Sequence, residues 1–221
     1  MGDLFSNSHV KAALYLTDQG CYLLKAKTGN DGKDGVIVKN LREADVCAAF
    51  THSTKDSGWL PSGILRVGNT VSGPWFVYFA QRQTVKITLA QRGEFLIPLP
   101  ATILFGYSGH YHLFALADKE ISPSCLVYHA PFPNTDDKGE ICWGSNPKPK
   151  VDSDKAPSIW KLFFDSPFND HYADGKSKTY RKDVRTLLEK TVGAAEFPVE
   201  ELVSMNINIG KMINQLVRGD L

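Results

Sequence analysis

Five short runs of aromatic and β-branched residues succeed one another through the middle of this chain, and they limit its fold more than any other feature. They are WFVYFA at 75–80, TVKITL at 84–89, TILFGY at 102–107, YHLFALA at 111–117 and CLVYHA at 125–130. Each has the length and composition of a strand, and the connectors between them are short and carry Gly, Pro or Asp. This spacing predicts an antiparallel meander rather than alternating strand–helix units.

The flanks differ from the centre. KAALYL at 11–16 and CYLLKAK at 21–27, separated by TDQG, read as a β-hairpin. A Gly/Asp-rich turn at 29–35 leads to the strand-like VIVK at 36–39, and 41–50 has helical spacing. After the meander comes a Pro- and Lys-rich loop at 145–157. Helical patterns follow at 158–164, 183–192, 199–205 (opened by Pro198) and 208–217. The predicted class is α+β, an antiparallel meander with helices packed on one face. Two regions are expected. Residues 1–58 form a hairpin-and-helix extension packed on the core, and residues 59–221 form the main domain with its C-terminal helices.

Composition removes several functional classes. The formal net charge of 221 residues is +1, which gives no general attraction to nucleic acid or acidic lipid. No apolar run reaches the roughly 20 residues of a membrane span. The first residues, MGDLFSNSHVK, lack the pattern of an export signal. Four cysteines, Cys21, Cys47, Cys125 and Cys142, fall outside zinc-site spacing. A cytoplasmic, reducing location with free thiols is therefore expected, with no metal and no cofactor.

The segment with chemical content is Ala130–Lys150, APFPNTDDKGEICWGSNPKPK. Pro131 and Pro133 end the preceding strand by removing its donors. TDDKG makes a polar turn in which Gly139 supplies a permissive dihedral. Cys142 then stands in a loop beside Trp143, which is expected to pack that loop. A loop cysteine is a better candidate for reactivity than a strand cysteine, which is usually small apolar filler. Its nearest charged neighbour, Glu140, would not activate it. His129 reads as a structural histidine. His110 and His112 alternate onto one strand face without a convincing metal set.

Phe132-Pro133-Asn134, followed by Gly139-Glu140-Ile141-Cys142 with the cysteine eight positions after the asparagine, resembles the motif of ubiquitin-conjugating enzymes. The version here is most similar to the bacterial families, in particular prokaryotic family D, as in protein B of PRTRC systems and in antiphage ubiquitin-like conjugation operons. Also carrying the likeness are Leu60-Pro61, Trp75, Pro100, Phe114-Ala115-Leu116, Ala130-Pro131, and Phe163 to Phe168 with His171. The likeness covers about residues 59–172. One motif position departs: Phe132 stands where the classical His-Pro-Asn has histidine. That position is mainly structural, so the change bears on loop packing more than on chemistry.

The resemblance implies a ubiquitin-conjugating-enzyme-like fold and an acyltransferase. Cys142 would take a ubiquitin-like protein as a thioester from an activating enzyme and pass it to a lysine of a target protein. Asn134 would donate to the oxyanion, the alternative being a turn asparagine that bonds its own loop. Asp170 and His171, after the helix at 158–164, would accept the lysine proton, the alternative being an ordinary polar loop. Two other functions fit the same residue types. One is a non-catalytic module of this fold that binds a ubiquitin-like protein. The other is a thiol hydrolase using Cys142, His171 and Asn134.

Overall fold

A computed structural model describes residues 12–28, 34–46, 57–70 and 72–218. Part of the turn at 29–35, most of the loop at 51–58, and positions 47–50 with Cys47 lie outside the described residues. Of the helix expected at 41–50, residues 41–46 are described: 43–46 are helical, whereas Leu41 is still strand. The chain divides into two compact units, Met1–Gly58 and Trp59–Leu221.

The first unit holds a three-stranded antiparallel sheet of β1 (Ala12–Thr17), β2 (Gly20–Thr28) and β3 (Asp34–Leu41). Its hairpin places Tyr15 opposite Tyr22, and β3 adds with Leu24 opposite Val38.

The second unit contains β4 (Ile64–Thr70), β5 (Gly73–Ala80), β6 (Gln83–Leu89), β7 (Gly93–Leu99), β8 (Ala101–Tyr107), β9 (His110–Leu116), β10 (Leu126–His129) and β11 (Ser204–Asn208). Six of these form one antiparallel sheet in the order β11-β10-β9-β8-β5-β4, while β6 and β7 form a separate hairpin. The meander is thus interrupted: β5 pairs with β8, and the β6–β7 hairpin leaves the sheet between them.

Strand periodicity makes two apolar faces. Phe76, Leu104, Leu113 and Ala115 point to one core, and Trp75, Val77, Ile103, Phe105, Phe114 and Leu116 to another. The first face is covered by α1 (Ala156–Asp165) and α2 (Val184–Lys190), and the second by α3 (Ile209–Arg218). Two helices therefore lie on one face, as the sequence predicts, and the third packs on the other, because Trp75, Val77 and Phe105 make that face apolar too. In α1, Ala156, Ile159, Trp160, Phe163 and Phe164 are buried, a single helical stripe, and Trp160 donates from Nε1 to Thr102 Oγ1 at 2.9 Å.

One helix expected from the sequence is absent. Residues 199–205 do not form a helix. A single 3-10 turn at Val199–Glu201 gives way to β11, whose Ser204 stands opposite Tyr128. The His129 N–H donates to Val203 O at 3.0 Å, so the edge of β10 draws this segment into the sheet.

Candidate active site

The loop that carries Cys142 starts where β10 stops. Ala130, Pro131, Phe132 and Pro133 are all buried. The Phe132 ring meets Phe164 of α1 edge-on at 5.0 Å and stacks with Phe168 at 6.2 Å. Phenylalanine at this position thus has a packing explanation: it joins an aromatic cluster that anchors the loop to α1.

Asn134 then takes a left-handed conformation, φ 62°, which asparagine tolerates better than most side chains. The turn that follows is closed by Asp136, whose Oδ1 accepts from the N–H groups of Lys138 (2.9 Å) and Glu140 (2.7 Å). Gly139 has φ 78° and lies against Phe114. The returning segment docks on β9: Leu113 N–H donates to Gly139 O at 2.8 Å, and Ile141 N–H to Tyr111 O at 2.7 Å.

This docking decides where the thiol points. Ile141 and Trp143 are both buried in the core below, and Trp143 meets Tyr111 edge-on at 5.6 Å. In an extended segment neighbouring side chains face opposite ways. With Ile141 and Trp143 pointing inward, Cys142 faces outward, and it is exposed. Of the described thiols, Cys21 is buried and Cys125 is half-buried, its S–H donating to Glu120 O at 3.4 Å.

Asn134 joins the parts of the site. Its carbonyl accepts from Cys142 N–H at 2.8 Å, and its own N–H donates to His171 O at 2.9 Å. Its side-chain Nδ2 donates to Pro167 O at 3.1 Å. The segment after α1 is itself fixed, with Phe168 fully buried and its N–H donating to Thr88 O at 2.8 Å. Asn134, Cys142 and His171 are therefore linked through backbone hydrogen bonds. The His171 ring lies on Tyr172, with centroids 3.9 Å apart, and both residues are exposed. Asp170 is exposed as well. Its charge reaches Arg185 of α2, whose guanidinium is held above its usual range chiefly by hydrogen bonding to Asp183.

The flanking histidines have structural partners. His110 Nδ1 lies 2.7 Å from Glu140 Oε1, and His112 Nδ1 lies 3.3 Å from Lys138 O. Burial pushes the Glu140 carboxyl up, but the hydrogen bond and charge of His110 outweigh this and leave it below its ordinary value. Burial lowers His129, helped by the charge of Lys176. No group of three metal-ligating side chains occurs among the described residues.

Lys176 itself is a residue that sequence reasoning passes over. It is 4% exposed, and its ammonium lies under the Cys142 loop, donating to Phe132 O at 2.8 Å and to both the carbonyl and the hydroxyl of Thr135. In the polar string ADGKSK it has no local signal of burial.

The family model described as prokaryotic E2 family D matches residues 37–205. The chain belongs to prokaryotic E2 family D. The match runs from β3 into β11, further in both directions than the likeness read from motifs. It contains Asn134, Cys142, Asp170 and His171. No curated protein and no solved structure matches the chain. Membership in this E2-like family gives the chain a conjugating-enzyme-like role, with a ubiquitin-like protein and other conjugation components as its partners. Among the described residues, no helix is long and apolar enough to cross a membrane.

Proposed function

We propose that this family D protein is an acyltransferase that carries a ubiquitin-like protein as a thioester on Cys142 and delivers it to a lysine of a target protein. One observation carries the proposal: the cysteine at the motif position is exposed on a loop whose two adjacent side chains, Ile141 and Trp143, are locked in the core. A bulky acyl donor held by another protein needs that accessibility, and an attacking sulfur needs that fixity.

In the first step the Cys142 thiolate attacks the carbonyl carbon of the activating enzyme's thioester. A C–S bond to Cys142 forms, the oxyanion collapses, and the activating enzyme's thiolate departs. In the second, a lysine amine attacks the same carbon. The isopeptide bond forms, the Cys142 thiolate leaves, and the amine nitrogen gives up a proton. Asn134 serves the oxyanion. One amide N–H is committed to Pro167 O, and an asparagine amide carries a second. Asp170 and His171, exposed on the adjoining segment, serve as the acceptors of the lysine proton. Cytoplasmic location and a defence setting fit this reading.

The test is incubation with the cognate activating enzyme, ATP and the ubiquitin-like protein. A thiol-reducible adduct on Cys142 is expected, converted by Cys142→Ser to a reduction-resistant ester or lost. Cleavage of a preformed conjugate would indicate a hydrolase, and binding without an adduct a non-catalytic module. A reducible adduct that survives Cys142→Ala would remove the assignment.

A further inference from the structure

The Cys142 loop is fastened from beneath by a group outside the motif. Phe132 has no polar side-chain atom, yet its carbonyl is engaged by Lys176 Nζ at 2.8 Å. The same nitrogen reaches Thr135 O and Thr135 Oγ1. These acceptors bracket Pro133 and Asn134, so one ammonium grips both ends of the turn that puts Asn134 in its left-handed conformation. The Thr135 hydroxyl already donates to Phe132 O at 3.2 Å, so towards Lys176 it can only accept. Three acceptors therefore face Nζ, and an ammonium has three N–H groups.

From the clamped turn the linkage continues to the thiol. Asn134 O accepts from Cys142 N–H at 2.8 Å. Thr135 bridges Ile141, the residue before the cysteine. We propose that Lys176 is the positioning residue of this site: its ammonium, held on Phe132 O and Thr135, fixes the Asn134 turn and through it the backbone of Cys142. The role in transfer rests on the thioester reading above, whereas the mechanical linkage does not.

A neutral amine has two N–H groups and can hold only two of the three acceptors at once, so the full clamp depends on charge. Burial pushes Lys176 down to about 7, opposed by the carboxylates of Asp136, Asp174 and Asp137. These carboxylates and His129 of β10 are the titratable groups that face it. The clamp is complete below that pH and weakens above it.

Amide hydrogen exchange of the full-length protein tests this without any partner. In Lys176→Met, which keeps the length of the side chain and removes its donors, protection of the Asn134 and Cys142 amides should fall about tenfold or more, the scale of one hydrogen bond to a charged group. The Leu104 amide of β8 should keep its protection. In the unmutated protein, the ratio of Cys142 to Leu104 protection should fall between about pH 6 and 9, a range well below the reference pKa of an exposed lysine. This second measurement decides the matter if Lys176→Met does not fold. Native protection at Cys142 in a folded Lys176→Met protein overturns the proposal. So does a pH-independent ratio where that variant cannot be obtained. Failure of the unmutated protein to form a thioester, with the exchange result intact, would count against the transferase reading and leave the clamp standing.

Discussion

Replacing Gly139 by alanine tests whether docking on β9 is what presents Cys142. At φ 78°, an L-residue there costs about 1–2 kcal/mol. A Cβ would also lie 2.5 Å from Phe114 Cε1 and 3.0 Å from Leu113 O. Phe114 is fully buried, so this overpacking adds roughly 1–3 kcal/mol. Together these give roughly 2–5 kcal/mol if the loop stays in place. The loop has an escape of comparable cost. Lifting off β9 gives up two hydrogen bonds, Leu113 N–H to Gly139 O and Ile141 N–H to Tyr111 O, each contributing about 1 kcal/mol net, together with the burial of Ile141, roughly 1.5–3 kcal/mol. Local detachment therefore holds the global loss within roughly 3.5–5 kcal/mol and transfers the damage to the site. Gly144→Ala is the matched control, with φ 58° and nothing within 4 Å of the added Cβ. Denaturant titration should show both variants folded and Gly139→Ala the less stable. Hydrogen exchange should show Leu113 and Ile141 deprotected in Gly139→Ala alone, and thioester formation should fall with them. If the two variants match in stability and in protection at Leu113 and Ile141, docking on β9 does not hold the loop and the reasoning fails.

Phe132→Ala should lose about 3–5 kcal/mol in chemical denaturation, because a fully buried ring leaves a cavity between Phe164 and Phe168. Phe132→His, which restores the classical motif residue, should also destabilise, since an imidazole there would be surrounded by rings. Asp170→Ala combined with His171→Ala should leave thioester formation nearly intact and slow discharge to lysine, with the deficit shrinking as pH rises and more amine is already neutral; single-turnover rates for the two steps check this. Glu140→Gln should lower stability at neutral pH, where the depressed carboxyl is ionised and bonded to His110. That difference should fade as pH falls from the reference value of 4.5 through the lowered one, as read from thermal unfolding in a pH series.

The parts of the fold that were readable from sequence are those whose cause is local. The runs at 75–80, 102–107, 111–117 and 125–130 became strands because their alternation feeds two apolar faces, and 84–89 became one because Val85, Ile87 and Leu89 alternate into a single core. The residues of α1 became helical because one stripe from Ala156 to Phe164 faces the sheet. β7 lies outside the strands expected from the sequence; its Pro98 is tolerated because β7 pairs with β6 alone, in a two-stranded hairpin. β11 was misread because Pro198, Val199 and Leu202 fit a helix start, and the tie that overrules them, the edge of β10, lies about 75 residues away in sequence, a type of override expected when tertiary pairing competes with propensity. The spacing from Asn134 to Cys142 was visible because both belong to one short loop. The bonds from Asn134 to Pro167 and His171, and from Lys176 to Phe132 and Thr135, were not, because each crosses more than thirty positions.

The way Cys142 is held bears on the kind of chemistry the loop suits. Exchange of one thioester for another breaks and makes bonds of the same type, so it asks for an accessible, well-placed sulfur more than for a strongly activated one. Amide hydrolysis asks for more: a base aimed at the thiol and an orienting group behind it. Here the carboxylate two residues from Cys142 is committed to His110. His171 meets Asn134 through its backbone carbonyl, and its ring lies on Tyr172. Asn134 holds Pro167 O rather than an imidazole. The hydrolase arrangement would need His171 to turn its ring inward and Asn134 to release Pro167. The transferase arrangement needs neither change: the thiol is already outward, and the proposed proton acceptors, Asp170 and His171, are already exposed. That difference in rearrangement favours the transferase reading over the hydrolase one.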